Sequence, residues 1–520
     1  MLDIKIINGT VYDGLGGSAR LADVGIVGER IAEVGDLARA EARVTIDAAG
    51  RLVCPGFIDA HSHSDTYLLI EPSADSKIFQ GITTEVVGNC GASAAPLHDP
   101  YKLPSDWADK TYPRAWQSVT DYRRLLDEVR PAPNTVLLIG HNTLRAGAMG
   151  YAPRHATADE LALMRRRLGQ ALDEGGAGFS TGLAYAPGMF APPEEVEALA
   201  EEVAARGKIY TSHMRSEGGH LVEAIEETIA VGRHAGCRVQ VSHLKTAGKG
   251  NWGLLDAALA RIEDARREGL EVAADRYPYT ASCTDLDVLF PDWAAGGGRE
   301  AVLARLRDPD TRRRIREDIL AKRAEDYWES VRIGSTHHPD NRRFKGQPLV
   351  EVAKALGMAP VDAVLHLTDS DNLMTSAFFF TMSEANMWKI LARPYVMFGS
   401  DASLRATHGP LSHDHPHPRA YGSLTKFLRA ALDGKTVPLA EAVHKSTALT
   451  AEHFRLQDRG VLAKGKLADV VVLDPANLRE HTDFGNPHQL STGVEHVIVN
   501  GVATLSGGRL TGKRAGRLLG

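Results

Sequence analysis

The alternation of short β-rich runs with helical stretches, repeated from residue 52 to residue 401, limits the possible folds more than any other feature. Eight β-rich runs stand out: LVCPGFIDAH, TTEVVGNCG, TVLLIGH, GAGFSTG, KIYTSHM, RVQVSHL, EVAADRYPY and YVMFGSD. Strands that alternate with helices pair in parallel, and eight of them predict an α/β fold with a (β/α)₈ TIM-like barrel. A doubly wound open sheet is the alternative, but no glycine-rich dinucleotide fingerprint follows the first run.

The two ends of the chain have a different pattern from the middle. Residues 1–52 contain DIKIING, VGIVGERIAEVG and ARVTIDAAGRLV, and similar material returns in LADVVVLDP and VEHVIVNGVATL. Alternating apolar and polar residues between turn signals are typical of short antiparallel strands. We therefore expect residues 1–52 and 456–520 to form one small β-sandwich domain, into which the middle of the chain is inserted.

One segment interrupts the alternation in the middle of the chain. Residues 285–348 carry charged, arginine-rich stretches such as RLRDPDTRRRIREDILAKRAEDYWES. We interpret this segment as an insertion after strand seven that covers the mouth of the barrel. Residues 53–284 and 349–455 then supply the first and last parts of the barrel. The charge run itself is interpreted as a solvated helix face.

Length and composition exclude several classes of protein. The 520 residues exceed what one hydrophobic core usually organises, so an accessory domain is expected. A net charge of −6 argues against a nucleic-acid partner. The start has no signal-peptide pattern and the chain has no apolar run of about 18 residues, which predicts a cytoplasmic protein with no membrane partner. Four scattered cysteines do not form a disulfide framework.

Potential metal ligands stand at the ends of five of the eight predicted strands. They are His61 and His63 on the first, Cys90 on the second, His213 on the fifth, His243 on the sixth and Asp401 on the eighth. The carboxyl ends of barrel strands meet at one face, where barrel enzymes keep their catalytic groups. His61 and His63 are two residues apart, so an extended chain points both to the same side. Imidazole, thiolate and carboxylate together suit Zn²⁺, and six ligands suffice for two adjacent ions or for one beside a weaker site.

These residues lie in segments that resemble the amidohydrolase superfamily and, more closely, its D-aminoacylase (N-acyl-D-amino-acid deacylase) family. The segments span nearly the whole chain: PGFIDAHSHSD, EPSADSKIFQGITTEVVGNCG, GHNTLRAGAMG, GAGFSTGLAYAPG, TSHMRSEG, VSHLK, YPYTAS, GSDAS, HPRAYGS and TGKRAGRLLG. The GNCG cysteine together with SHMR and SHLK is the most specific part. Many members of the superfamily have a carboxylated lysine where this family has the cysteine.

The resemblance implies a zinc-dependent hydrolase that cleaves the linear amide of a small-molecule substrate, an N-acyl-D-amino acid. It implies one tightly bound Zn²⁺ on Cys90, His213 and His243, and a second, weaker position served by His61, His63 and Asp401. Asp401 matches the catalytic aspartate of the superfamily. Elementary chemistry agrees, since zinc lowers the pKa of bound water to about 7 and a neighbouring carboxylate can take and return a proton as general base and acid.

The α-carboxylate of such a substrate needs cations or hydroxyls near the metal. Lys245 lies two residues beyond His243, on the same side of an extended strand. The resemblance makes Lys245 and a tyrosine of the RYPYTAS segment partners of the carboxylate. The candidates there are Tyr277, Tyr279 and Ser282, and Arg419 is a further candidate. Cys283 departs from the YPYTASST sequence common in the family.

Other readings of the chain stay open at this stage. Met189 and Phe190 in YAPGMF are candidates for an apolar wall that would favour a hydrophobic D-amino acid. A cyclic amidohydrolase, like a hydantoinase or dihydroorotase, would use the same metal chemistry, although those relatives usually have the carboxylated lysine. A catalytically silent scaffold of the same fold would typically have lost metal ligands, whereas all six are present here. The sequence is compatible with a homo-oligomer.

Overall fold

A closed parallel barrel forms the centre of the computed structural model, which describes residues 1–99, 103, 105–108 and 110–520. Its strands are labelled in chain order: β1 Phe57–Asp59, β2 Ile82–Val87, β3 Asn134–Gly140, β4 Gly178–Gly182, β5 Ile209–His213, β6 Arg238–Val241, β7 Val272–Arg276 and β8 Val396–Phe398. Each strand pairs in parallel with its neighbours in the chain. The barrel closes where Ala60 N donates to Phe398 O at 3.1 Å. The predicted (β/α)₈ barrel is confirmed.

The strands are buried on both faces, as parallel strands covered by helices must be. All seven residues of β3 are buried, for example. The helices around the strands are Asp75–Ile78, Ser105–Ala108, Val119–Val129, His141–Met149, Ala158–Asp173, Pro193–Ala204, Leu221–Ala235, Leu255–Arg267, Glu384–Leu391, Arg419–Leu432, Leu439–Lys445 and Ala448–His453. Thr157 begins one of them with a capping box, in which Thr157 and Glu160 bond each other's backbone N–H. Among the described residues, no helix is both long and apolar enough to span a bilayer.

A second sheet combines nine strands from the two ends of the chain. They are Leu2–Val11, Arg20–Val27, Arg30–Gly35, Ala42–Asp47, Leu52–Pro55, Val470–Leu473, Val494–Val499, Val502–Ser506 and Arg509–Leu510. Asn500 and Gly501 both have positive φ, +49° and +78°, and form a tight hairpin turn between two of these strands. The last short strand, Leu518–Leu519, pairs instead with β3 of the barrel.

The first predicted run, LVCPGFIDAH, contributes to both sheets. Leu52–Pro55 pairs in the terminal sheet, and β1 begins at Phe57. Gly56 lies between them, where a side-chain Cβ would come within 2.2 Å of Thr83 Oγ1. The close approach of the two sheets therefore requires glycine at the point where the chain passes from one to the other.

The segment inserted after β7 folds around a core of its own. Its small antiparallel sheet consists of Ser282–Asp285, Val331–Ile333 and a central strand, Ser376–Phe379. Its helices are Asp292–Ala295, Arg299–Arg307, Pro309–Ala321, Leu349–Leu356 and Pro360–Ser370. The core runs from Leu286 to Phe379, so the packed unit continues about thirty residues past the expected end at residue 348. The reason is that the last two helices bury their apolar faces against the insertion.

Candidate metal centre

The six predicted ligands lie at the carboxyl ends of five barrel strands and face one another. Cys90 Sγ is 3.4 Å from His61 Nε2 and 3.3 Å from His243 Nε2. Asp401 Oδ1 is 3.1 Å from His63 Nε2 and 3.5 Å from His61 Nε2. The ring of His213 lies with its centroid 4.5 Å from that of His243. Residues separated by as many as 340 positions in the chain therefore share one pocket.

The donor atoms of five predicted ligands, together with Glu217, form two overlapping groups, and His63 belongs to neither. Those of His61, Cys90, His243 and Asp401 lie within 4.8 Å of one another, and so do those of His213, Glu217 and His243. In a tetrahedral zinc site, sulfur and nitrogen ligands would be about 3.6 Å apart, close to the distances from Cys90 to the two imidazoles. In the described part of the chain, the buried Nδ1 of His213 has no hydrogen-bond partner. The residues present therefore fit zinc.

Three of the candidate ligands have a backbone conformation that side chains rarely adopt. The φ angles of Cys90, His243 and Asp401 are +53°, +36° and +51°. Non-glycine residues in this region persist only where the surrounding structure holds them, and they cluster at functional sites. Each of these residues follows the end of a barrel strand, where the unusual φ turns its side chain toward the common pocket.

The pocket stabilises the anionic forms of its thiol and its carboxyl group. Burial alone would raise the pKa of Cys90, but the His61 and His243 imidazoles hold it well below its ordinary value. Burial would likewise raise the pKa of Asp401, but the Arg419 guanidinium and the neighbouring imidazoles hold it well below its usual range. A thiolate and a carboxylate at the centre of a buried cluster favour a cation.

Carboxylates behind the histidines fix the orientation of two of the rings. Asp275 Oδ1 lies 3.2 Å from His61 Nδ1, and Glu217 Oε1 lies 2.8 Å from His243 Nδ1. With a proton on its Nδ1, His61 can bind a metal through Nε2. His243 Nδ1 lies 2.7 Å from Lys245 Nζ as well as beside Glu217. Sequence reasoning missed both carboxylates. The available signals were an acidic residue inside the buried strand β7 and the glutamate four residues after His213 in SHMRSEG.

Lys245, Arg419 and Tyr277 are buried beside the metal centre. The Lys245 ammonium forms an ion pair with Glu217, lies 2.7 Å from His243 Nδ1 and lies 5.9 Å from the centroid of the Tyr277 ring. Arg419 Nη1 donates to Asp401 Oδ2 at 2.5 Å, and its guanidinium lies 4.8 Å from the same ring. Within the described residues, the buried Tyr277 hydroxyl has no hydrogen-bond partner. Two cations and one free hydroxyl are thus placed where an anionic group could bind.

The other predicted substrate contacts lie in different surroundings. The Tyr279 ring contacts His417, at 5.2 Å between centroids, and the Lys426 ammonium, at 4.1 Å. Ser282 belongs to the first strand of the inserted sheet and is half-buried. The carbonyl of Met189 accepts from Arg215, and Phe190 packs against the backbone of Gly296 in the insertion.

Tyr185, which sequence reasoning did not select, also belongs to the pocket. Its ring lies 4.7 Å from that of His213, centroid to centroid. Burial, together with the nearby Cys90 thiolate, raises the pKa of Tyr185 well above its ordinary value, although a hydrogen bond with Thr284 lowers it. Tyr185 therefore stays protonated.

Comparison with known proteins places most of the chain in the amidohydrolase family, as the sequence motifs predicted. The model of the amidohydrolase family matches residues 44–504. The N-acyl-D-glutamate deacylase of Alcaligenes xylosoxydans xylosoxydans is 40% identical over 96% of this chain and 93% of its own length.

Two solved structures resemble the whole chain. The N-acyl-D-glutamate deacylase of Bordetella bronchiseptica, complexed with zinc and a phosphonate mimic of the tetrahedral intermediate, is 36% identical with a TM-score of 0.85, over 100% of this chain and 99% of its own. A D-aminoacylase with a binuclear metal centre, described as activated by one metal and attenuated by the second, is 37% identical with a TM-score of 0.84, over 100% of both chains.

Proposed function

This chain belongs to the amidohydrolase family, and we propose that it hydrolyses the linear amide of N-acyl-D-amino acids to a carboxylate and a free D-amino acid, with zinc as its cofactor. The observation that carries this proposal is the convergence of the Cys90 thiol with His61 and His243 beside Asp401. The cysteine distinguishes this site from cyclic amidohydrolases, whose usual ligand is a carboxylated lysine.

Cys90, His213 and His243 hold the tightly bound zinc in this proposal, and His61, His63 and Asp401 serve a weaker position. A zinc ion bound there supplies Lewis acidity, which makes a water molecule acidic enough to attack the acyl carbon near neutral pH. Glu217 and Asp275 keep the His243 and His61 rings turned toward the pocket.

Asp401 carries the proton in the proposed reaction. Its carboxylate is ionised in the resting protein, so it can accept the proton of the attacking water. The same carboxyl group then delivers that proton to the departing amine nitrogen, and the carbon–nitrogen bond breaks. Arg419, bound to the second oxygen of Asp401, keeps the carboxylate oriented while it performs both steps.

Lys245 and Tyr277 bind the α-carboxylate of the substrate in this scheme, with Arg419 beside them. Tyr279 and Ser282 stay predictions as further contacts. A charged hydrogen bond contributes about 1.5–3 kcal/mol, so Lys245→Met is expected to raise KM by about 10- to 100-fold. The measurement compares KM for an N-acetyl-D-amino acid with KM for the same compound carrying a neutral carboxamide.

The carboxamide substrate and an exposed lysine provide the controls for that experiment. The effect of Lys245→Met should be lost with the carboxamide, which offers no anion to bind. Lys249→Met, four residues further along the chain and exposed, should leave KM unchanged for both compounds. An equal effect of Lys245→Met on the two substrates would contradict carboxylate binding by Lys245.

A stereochemical substrate panel tests the proposed function directly. Zinc-replete protein is assayed with N-acetyl derivatives of D- and L-leucine, methionine, phenylalanine, glutamate and aspartate, and zinc is measured on the same sample. We expect turnover of D substrates, with the L enantiomers slower by at least about tenfold, the effect of about 1.4 kcal/mol from one misplaced contact. The apolar wall predicted at Met189 and Phe190 would favour the first three side chains.

Two outcomes of the panel would contradict the proposal. No turnover of any D substrate would exclude the deacylase function. A hydantoin included in the panel and opened faster than any linear amide is cleaved would instead favour a cyclic amidohydrolase. Absence of zinc in the purified protein, with a melting temperature unaffected by a chelator, would support the silent scaffold.

A further inference from the structure

Lys77 is a lysine with a fully buried side chain that lies beneath the metal centre and has no part in the reaction described above. It belongs to the short helix Asp75–Ile78, which follows β1. Its ammonium lies 2.9 Å from Asp59 Oδ2 and 3.0 Å from Glu85 Oε1, so it forms ion pairs with both carboxylates. Burial of a lysine is costly, and it occurs where several partners hold the charge.

The remaining contacts of Lys77 are to Ser62 Oγ, at 3.4 Å, and to the two residues on either side of Asp401. The ammonium donates to Ser400 Oγ at 3.0 Å and to the carbonyl oxygen of Ala402 at 2.9 Å. Asp59 reinforces the same connection, since its Oδ1 accepts from Ser400 N at 2.7 Å and its Oδ2 from Ser400 Oγ at 2.5 Å. The end of β8 is thereby fastened to the end of β1.

This connection crosses the place where the barrel closes. β1 and β8 are short, three residues each, and are joined by isolated backbone hydrogen bonds. One of these runs from Asp401 N to His61 O at 2.8 Å. The positions of Asp401 and His61 relative to each other therefore depend on this junction, to which Lys77 contributes contacts on both sides.

Asp401 needs such support because of its own backbone. Its φ of +51° is unfavourable for a residue with a side chain, and the surrounding structure must maintain it. Lys77 and Asp59 bind Ser400 and Ala402, the residues through which the chain enters and leaves Asp401.

We propose that Lys77 is a positioning residue, which holds the backbone of Asp401 in its left-handed conformation by clamping Ser400 and Ala402 to the end of β1. The proposal rests on the function proposed above, because it concerns the carboxylate that moves the proton in that reaction. Lys77 does not touch the substrate, so its loss should reduce kcat and leave substrate binding nearly unchanged.

The first test replaces Lys77 by methionine and compares this variant with the same substitution at a second buried lysine. Displacement of a catalytic group by about 1 Å can cost about 100-fold in rate, so Lys77→Met is expected to lower kcat by about 10- to 100-fold with KM changed less than about threefold. Lys445 is the control, because its side chain is also fully buried and its ammonium donates to Val396 O at the opposite end of β8. Lys445→Met should keep kcat even if the melting temperature falls equally.

Zinc affinity gives a second measurement that does not depend on any substrate. Loss of a residue that orients a ligand costs about 10- to 100-fold in metal affinity, so Lys77→Met should weaken the second zinc position by that factor in calorimetric titration. The tight position, which does not include Asp401, should be unaffected. Unchanged affinity at the second position together with an unchanged kcat would overturn the role assigned to Lys77.

A milder substitution covers the case in which Lys77→Met fails to fold. Ser400→Ala removes one acceptor of Lys77 and one donor to Asp59, and it should lower kcat by about tenfold while KM stays constant. Wild-type kcat in Ser400→Ala would contradict the clamp. Inactive wild-type protein would contradict the proposed function instead, and the zinc titration of the variants would still decide the role of Lys77.

Discussion

Replacing Asp401 by asparagine is expected to lower kcat for N-acyl-D-amino acids by about 10²- to 10⁴-fold, the contribution of a positioned general acid or base. Asparagine keeps the volume of the side chain and one oxygen that can accept from Arg419. It cannot take a proton from water and return it to the amine. The tight zinc position should stay filled, because its proposed ligands Cys90, His213 and His243 are unchanged.

The measurement pairs steady-state kinetics with elemental analysis of the same sample. Asp474→Asn serves as the control, since Asp474 is also a buried aspartate but lies in the terminal sheet region, where it pairs with Arg51. The control should retain wild-type kcat. Activity of Asp401→Asn within about threefold of wild type would remove Asp401 from the proton transfer, because even the lower bound for such a group is about 100-fold.

The barrel and the location of its site could be predicted from the sequence because both follow from local patterns. Each β-rich run and each helix is a property of neighbouring residues, and parallel topology brings all carboxyl strand ends together. The histidines, the cysteine and the aspartate at those ends therefore had to meet, whatever the details of packing. The structure places Cys90 within hydrogen-bonding range of His61 and His243, and Asp401 within that range of His63.

The partners of those ligands could not be predicted in the same way. Lys77 reaches Ser400 across 323 positions, and Glu217 reaches His243 and Lys245 together. Such contacts depend on side-chain directions and on the loops after each strand, for which the sequence has no periodic signal. Arg419, expected as a substrate contact, binds Asp401 in the structure, a pairing that no spacing in the sequence indicates.

The C-terminal end of the insertion could not be predicted from the sequence pattern either. Residues 349–379 contain two amphipathic helices and a strand, as an ordinary unit of the barrel would. Their apolar faces pack on the insertion rather than on the barrel, and only the three-dimensional partner distinguishes the two cases. The insertion reaches the metal centre through its first strand, where Cys283 O accepts from Arg419 at 3.5 Å.

Cys90→Ala is expected to remove both the tightly bound zinc and the hydrolase activity. Even outer partners of a metal ligand contribute about 10- to 100-fold to metal affinity, so loss of the ligand itself should exceed that factor. Cys90 is also a group whose anionic form the surrounding imidazoles stabilise, so alanine removes a negative charge that favours a cation. His61 and His243 would remain, but without the sulfur that lies between them.

Thermal unfolding with and without zinc measures this loss directly. A ligand present at about 100 times its Kd stabilises a protein by about 2.7 kcal/mol, so zinc should raise the melting temperature of the wild type but not that of Cys90→Ala. Cys237→Ala is the matched control, because Cys237 is also buried but directly precedes β6, at the opposite end of that strand from His243. It should respond to zinc as the wild type does. A Cys90→Ala protein that keeps stoichiometric zinc, and is still stabilised by it, would show that the thiol is not a ligand. The ligands of the tight position would then have to be histidines and carboxylates alone.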